Sequence, residues 1–270
     1  MEILNYSFFQ NALTASLFIS ITCGIVGTYV VARRIVFISG GITHASFGGL
    51  GMGFYLGINP LLSAFIFSII SAFGVEYIIR SGSYKRIRED SVIAVVWSLG
   101  MAIGIIFMFL TPDYTPNLSS FLFGNILTVT KTDILMMGIL TIAVLSVFLL
   151  EKRLIIYTAF DRDFAITQKL PVRFIEYMMM FFIAATIVIS ISLVGIMLLL
   201  SLLTIPQMTA NMFTSDYKKI TLISCILGFL CCITGLFLSY FLNIPSGAFI
   251  ILVLIIIFFI SKVLETILKI

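Results

Sequence analysis

A single histidine, His44, sits in the glycine-rich stretch SGGITHASFGGLGMGFYLG, and no other occurs among the 270 residues. A neutral imidazole is a good ligand for Zn²⁺, Fe²⁺ and similar borderline cations. The residues around it read as a membrane span, where an ionisable side chain is costly and by default marks a functional site. Two readings stand at this point: a functional site, and a helix histidine hydrogen-bonded to a neighbouring carbonyl. Gly40 and Gly48 lie one helical turn away on either side. They belong beside a small-residue stripe, Gly41, Ala45, Gly49, Gly53 and Gly57, that repeats every four residues. Such faces let helices approach closely in lipid; they also leave room for a permeating ligand.

The stretch TAFDRDFAITQKLPVRF (158–174) differs in kind. It reads as a short polar helix with Asp161 and Asp163 near its start, Phe160 and Phe164 at i, i+4, and Pro171 ending it. An aromatic pair between charges suits docking to a soluble partner. The same pattern suits an interfacial helix with its basic residues toward lipid headgroups, and spacing alone leaves the two level. Farther on, in LLSLLTIPQMTANMF, Pro206 is expected to break one backbone hydrogen bond and kink its helix. Gln207, Thr209 and Asn211 set polar groups beside that kink, as in a transport pathway or an inert kinked helix.

Several absences bear on function. No Gly-Lys pair occurs, so there is no Walker A loop for ATP. There is no H-E-x-x-H, and one histidine cannot build a protease-type zinc centre. No span carries paired carboxylates, which argues against an intramembrane enzyme. Cys23, Cys225, Cys231 and Cys232 lie in apolar runs without C-x-x-C spacing and read as small packing residues.

The elements that must position these groups are membrane helices. Hydrophobic residues make up 61% of the chain and charged ones 10%, with a mean hydropathy of +1.20. Soluble domains carry about 25% charged residues. The expected fold class is all-α: a polytopic helical membrane protein forming a single transmembrane domain over 1–270. The early Glu2 and the lack of a basic n-region argue against a removable signal peptide. Runs long enough to cross, about 20 apolar residues each, fall near 10–32, 36–57, 60–79, 91–110, 134–150, 174–191, 193–213, 220–241 and 247–264. That predicts about 8–9 transmembrane helices, nine if a tight turn near Ser192 divides 174–213. With nine spans and the N-terminus outside, 15 of the 16 basic residues fall on the cytoplasmic side, leaving only Lys131 outside. The C-terminus is then cytoplasmic. Segment 118–130 is apolar but too short to cross, and reads as an extracellular re-entrant or interfacial helix.

Five segments in order resemble the membrane-spanning permease subunit of ABC importers for zinc, manganese or iron. Arg33 and Arg34 end the first span as that family's basic pair does, and GGITHA (40–45) looks like its GDALSHA segment. SSFLFGNIL (119–127) is similar to LFGDIL, and AFDRDFAITQKLPV (159–172) to SFDPELARASGLPV. VGIMLLLSLLTIPQMTA (194–210) and IPSGAFIIL (244–252) match its late Gly/Pro-containing segments, which puts Gly195 with Pro206 and Gln207 as kink and pathway residues.

The resemblance implies a homodimer in the lipid bilayer of a prokaryotic plasma membrane. Each permease would bind a cytoplasmic ATPase subunit, and a metal-binding solute-binding protein would deliver cargo from outside. Nucleic acid has no part in it. The 158–173 stretch would be the coupling helix for the ATPase, with Phe160, Asp161, Asp163, Phe164, Ala165 and Pro171 carrying the contact. His44 would make a transient metal contact, with Thr43 or Ser39, the metal being substrate and no cofactor being held. Gly40 and Asn125 stand where the family has aspartates, and Lys169 where it has a glycine. Two alternatives remain: a permease of this architecture for a metal chelate or other small solute, and a stand-alone secondary transporter. The scarcity of membrane carboxylates to carry coupled protons counts against the second.

Overall fold

The computed structural model describes residues 6–80, 89–112, 124, 126–242 and 244–268. Among these, every regular element is a helix. The described chain falls into two compact units. One is formed by residues up to 33, 118–160 and 189–270; the other by 34–117 and 161–188.

In the first unit, α1 (Ser7–Ala32) packs against α5 (Lys131–Phe160) and α9 (Tyr217–Leu242). The short α8 (Ile205–Asn211) and α10 (Ser246–Leu268) pack on α9. Lipid gives no hydrophobic drive between helices, so small residues and hydroxyl pairs hold them together. Gly24 receives the Cys225 side chain, Gly228 lies against Ser20, and Thr22 and Thr141 share a buried hydrogen bond of 2.9 Å between α1 and α5. All four cysteines are free, and three are fully buried. At the start of α5, Thr130 and Asp133 cap each other: Asp133 Oδ2 accepts from Thr130 N and Oγ1, while Thr130 Oγ1 accepts from Asp133 N.

In the second unit, α2 (Val36–Leu56) is clasped by α3 (Pro60–Arg80) and α4 (Glu89–Leu110). The two clasps use different sides of its glycine-rich surface. Gly49 and Gly53 press on Pro60, Ser63 and Ala64 of α3. Gly41 meets Ile93 of α4, and Gly48 and Ala45 meet Gly100. A Cβ on Gly48 would stand 2.9 Å from the Gly100 carbonyl oxygen, so the two backbones approach within the reach of glycine alone. Gly57 belongs to no packing face; it is the left-handed C-cap of α2 (φ 66°). The stripe is therefore a helix-packing device from Gly41 to Gly53.

Most helix ends follow the hydropathy closely, but α5, expected to end near 150, continues to Phe160 across a non-helical residue at Glu151 (φ -106°, ψ 16°). Seven helical stretches are long and apolar enough to cross a membrane among the described residues, and α2 is not one of them because six of its 21 residues are glycine. The expected division of 174–213 near Ser192 does not occur. α7 (Val172–Leu202) runs through Ser192, whose hydroxyl ties back to Ile189 O at 3.0 Å, and breaks at Gly195 (φ 76°, ψ 167°). A second break at Thr204 follows, and Pro206 lies in the first turn of α8. Proline was expected inside a helix; it starts one instead, where its missing N–H costs nothing. Most of segment 118–130, with Asn125, lies outside the described residues, which retain Gly124 and a 3₁₀ turn, Ile126–Thr128, with Ile126 fully buried.

Candidate functional site

The register set by Gly48 and Gly100 brings Trp97 of α4 level with His44 of α2. The two rings lie flat on one another, centroids 4.1 Å apart and planes 6° from parallel. One imidazole face is thereby covered, and Nδ1 is buried with no hydrogen-bond partner among the described residues. The carbonyl-bonded histidine anticipated as the plain alternative is not what Nδ1 shows. Its lone pair or N–H is unspent, as a transient ligand requires. Gly40, one turn back on the same helix face, is buried, yet a Cβ built there meets nothing within 4 Å. Space therefore exists at the position where the resemblance leads one to look for a carboxylate.

Thr43 and Ser39 are not drawn into this arrangement. Thr43 Oγ1 donates to Ser39 O, and Ser39 Oγ to Val36 O, each at 2.7 Å. Both hydroxyls spend their proton on their own helix, and neither position shares the i, i±4 face of His44. Among the described residues no group of three or more His, Cys, Asp or Glu is placed to hold a metal ion.

The 158–173 stretch folds as a corner. α6 (Arg162–Thr167) is capped by Asp161, whose Oδ1 accepts from Phe164 N at 2.8 Å, and Asp163 sits in its first turn, where a negative charge complements the helix dipole. At its other end Leu170 N donates to Ala165 O (3.1 Å) and Lys169 N to Ile166 O (2.9 Å). That is the Schellman closure, which needs a left-handed residue at position 169. Lys169 supplies it at φ 55°. The expected helix end is kept without glycine, at a local cost of about 1 kcal/mol. Ala165 is fully buried, while Phe164 and Ile166 are exposed. Pro171 follows the closure and leads into α7. Phe160 is placed differently from expectation: it is the last residue of α5, its ring edge-on to Tyr217 at 6.0 Å, so the i, i+4 pair with Phe164 is split between two helices.

A cleft of about 490 Å³ opens between α6 and the start of α7, lined by Ile166, Leu170, Val172, Phe174 and the flanking Arg162 and Arg173 among others. Beside it Arg162 Nε meets Glu176 Oε1 at 3.1 Å, and the Glu176 side chain is fully buried.

At the break in α7, Gly195 is met by a second left-handed glycine, Gly124 (φ 57°). A Cβ on Gly124 would collide with Gly195 N and Val194 C. Gln207, fully buried, donates from Nε2 to Cys23 O (2.8 Å) and Leu202 O (3.1 Å). Gly27 of α1 lies against the same amide, 2.6 Å from a built Cβ. Gln207 thus satisfies the Leu202 carbonyl freed where the helix breaks and ties the break to Cys23 O of α1, a structural duty for a residue placed on the pathway by its polarity.

The sequence matches the family described as the ABC 3 transport family over residues 5–265. The chain belongs to that family. The five-segment resemblance is borne out. An uncharacterized membrane protein of Synechocystis sp. is 41% identical over 97% of this chain and 92% of its own. The manganese transport system membrane protein MntC of Listeria monocytogenes is 32% identical over 96% of this chain and 91% of its own. Among solved structures, PsaBC from Streptococcus pneumoniae, in complex with a Fab, matches with a TM-score of 0.85 at 28% identity, covering 96% of this chain and 92% of that one.

In this ABC 3 family chain, sequence reasoning missed Trp97, Gly124 and the Arg162–Glu176 pair. The lone tryptophan was visible as the one residue of its kind, but nothing in spacing tied it to His44. Glu176, a carboxylate at the edge of a long apolar run, was a legible signal passed over.

Proposed function

We propose that this chain is the permease subunit of an ABC importer that carries a divalent transition metal ion, zinc, manganese or iron, across the plasma membrane. The family match over 5–265 carries the reading, and relatives named as metal or manganese transport membrane proteins support the cargo. The chain is a multi-pass membrane protein without its own ATP site. A separate cytoplasmic ATPase would drive it, an extracytoplasmic metal-binding protein would feed it, and two copies would line one path. Nine crossings follow if α2 is one and the broken stretch 172–211 contributes two. The N-terminus is then outside, the C-terminus cytoplasmic, and 118–130 a re-entrant segment on the outer side. His44 Nδ1, buried and unpartnered, would be a passing metal contact, with residues 158–173 docking the ATPase.

The test is metal uptake in a bacterial strain deleted for its other importers, carrying this gene together with genes for a candidate ABC ATPase and a metal-binding solute-binding protein. Uptake of manganese or zinc should need all three products, and His44→Ala should lower it. Uptake by the purified chain alone, driven by an ion gradient, would overturn the reading.

Transport of a chelated ion is a second reading, favoured by the Trp97 indole, 40% exposed and backed by His44. Such a planar face suits a chelate held by shape rather than by ligands. Elemental analysis and mass spectrometry of the loaded binding protein separate a bare ion from a chelate.

A further inference from the structure

The helix α6 has six residues, and most of its side chains are exposed. A helix of that length does not hold its shape or direction by its own hydrogen bonds. Three things fix it: the Asp161 cap, the buried Ala165, and the contact of Arg162 with Glu176 on the first turns of α7. The cap fixes α6 as a helix; the ion pair reaches across the 168–171 turn to the next long helix. That turn contains the strained Lys169, the place where a load on α6 would be absorbed.

Glu176 is an unusual choice for its position. Its neighbours Ile175, Met179 and Met180 on α7 are buried and apolar, and a buried carboxylate is costly unless held by a cation in good geometry. Arg162 supplies that cation through Nε, with its side chain 41% exposed while Glu176 is wholly enclosed. The pair therefore joins a mobile-length surface helix to a buried anchor point.

We propose that Arg162 and Glu176 form the brace that makes α6 and α7 move as one piece, so that Glu176 is a positioning residue for coupling ATP hydrolysis to transport. The inference rests on α6 being the ATPase-docking element, as argued above. A partner pressing on α6 rotates α7 through the ion pair; without the pair, the Lys169 turn flexes and the stroke is lost. The contact surface toward the partner, Phe164 and Ile166, is left intact in either case.

The experiment uses the full importer, permease with its ATPase and binding protein, in proteoliposomes. It compares wild type with Glu176→Gln, Arg162→Gln, the double variant, and Arg162→Lys. Measured together are ATPase co-purification, ATP hydrolysis, and manganese or zinc uptake per ATP hydrolysed. Glu176→Gln, outside the docking stretch, should keep the ATPase bound and hydrolysing, and both single variants should lower uptake per ATP hydrolysed by about fivefold or more. The double variant should lose no more than either single one, because partners in one interaction are not additive. Arg162→Lys, which keeps the charge, should recover part of the loss.

Unchanged uptake per ATP in Glu176→Gln overturns the proposal, and so do additive losses in the double variant. Loss of the ATPase from Glu176→Gln also overturns it, since that carboxylate would then be part of the docking surface. Should Glu176→Gln not fold, judged by size-exclusion chromatography, Arg162→Gln at the exposed end decides by the same ratio. Failure of the wild-type chain to bind any ATPase strikes the functional reading itself, and is distinct from every variant outcome.

Discussion

The only histidine of the chain lies flat on its only tryptophan, His44 on Trp97, with ring centroids 4.1 Å apart. Neither residue specifies this alone. Gly48, Gly100 and Gly104 let α2 and α4 approach until backbone touches backbone, and that approach sets the register of the rings. A stacked aromatic pair contributes about 0.5–1.5 kcal/mol beyond the area it buries. Here its larger effect is orientation: the indole fixes the plane of the imidazole before any ion arrives.

That pairing turns the protein into its own reporter. All tryptophan fluorescence comes from position 97, within stacking distance of the proposed metal contact. Adding paramagnetic Mn²⁺ or Co²⁺ to the purified protein should quench this emission saturably, and His44→Ala should weaken the apparent affinity by about tenfold, on the order of one lost ligand's 1.4 kcal/mol. Equal saturable quenching in His44→Ala would place the ion elsewhere.

Gly40 offers the complementary gain of function. A side chain there has room, whereas one at Gly48 or Gly51 runs into the Gly100 or Gly104 backbone. Gly40→Asp should fold with wild-type yield and shift uptake toward Mn²⁺ over Zn²⁺, because a carboxylate favours the harder ion. Gly48→Leu should instead lose folded protein. Size-exclusion yield and competitive uptake of the two metals read both effects; equal yields for the two variants would contradict the packing described here.

Lys169 holds a conformation that glycine holds without strain. Lys169→Gly should strengthen the end of α6 by about 1 kcal/mol, visible as slower hydrogen exchange at the Lys169 and Leu170 amides that close the Schellman motif. Lys169→Val should do the reverse, since a β-branched residue at positive φ is worse still. Faster exchange in the glycine variant would show that the turn is not limited by its backbone.

Much of the fold was readable because hydrocarbon thickness dictates where apolar runs begin and end. The ends of α1, α3, α4, α9 and α10 fall within a few residues of the hydropathy limits. Asp161 and Pro171 marked the α6 corner for an equally direct reason, one capping the helix and the other following its closure. Hydropathy carries no information on φ, however, so hydropathy alone points to Ser192, a residue that in lipid ties its hydroxyl to its own helix; it is the family resemblance that points to Gly195, where the break falls. Nor does local spacing report pairs made across helices. Trp97 stands 53 positions from His44 in the numbering, and their meeting depends on glycines in both helices. Phe160 was grouped with Phe164 by a period that holds only within one helix, and the helix ends between them.

The break in α7 supplies the last prediction. Gly195 at φ 76°, ψ 167° occupies a region that is essentially restricted to glycine, and forcing another residue there costs about 1–3 kcal/mol. Gly124 is constrained twice, by its own positive φ and by the Val194–Gly195 backbone that any Cβ would strike. Each of Gly195→Ala and Gly124→Ala should therefore lower the thermal midpoint of the purified protein. Because both disturb one contact, the double variant should fall short of the sum, with a coupling of about 0.5–3 kcal/mol between the two sites. Strict additivity in a thermal double-mutant cycle would mean that the two glycines act independently, and that the approach of residue 124 to the α7 break does not hold it in place.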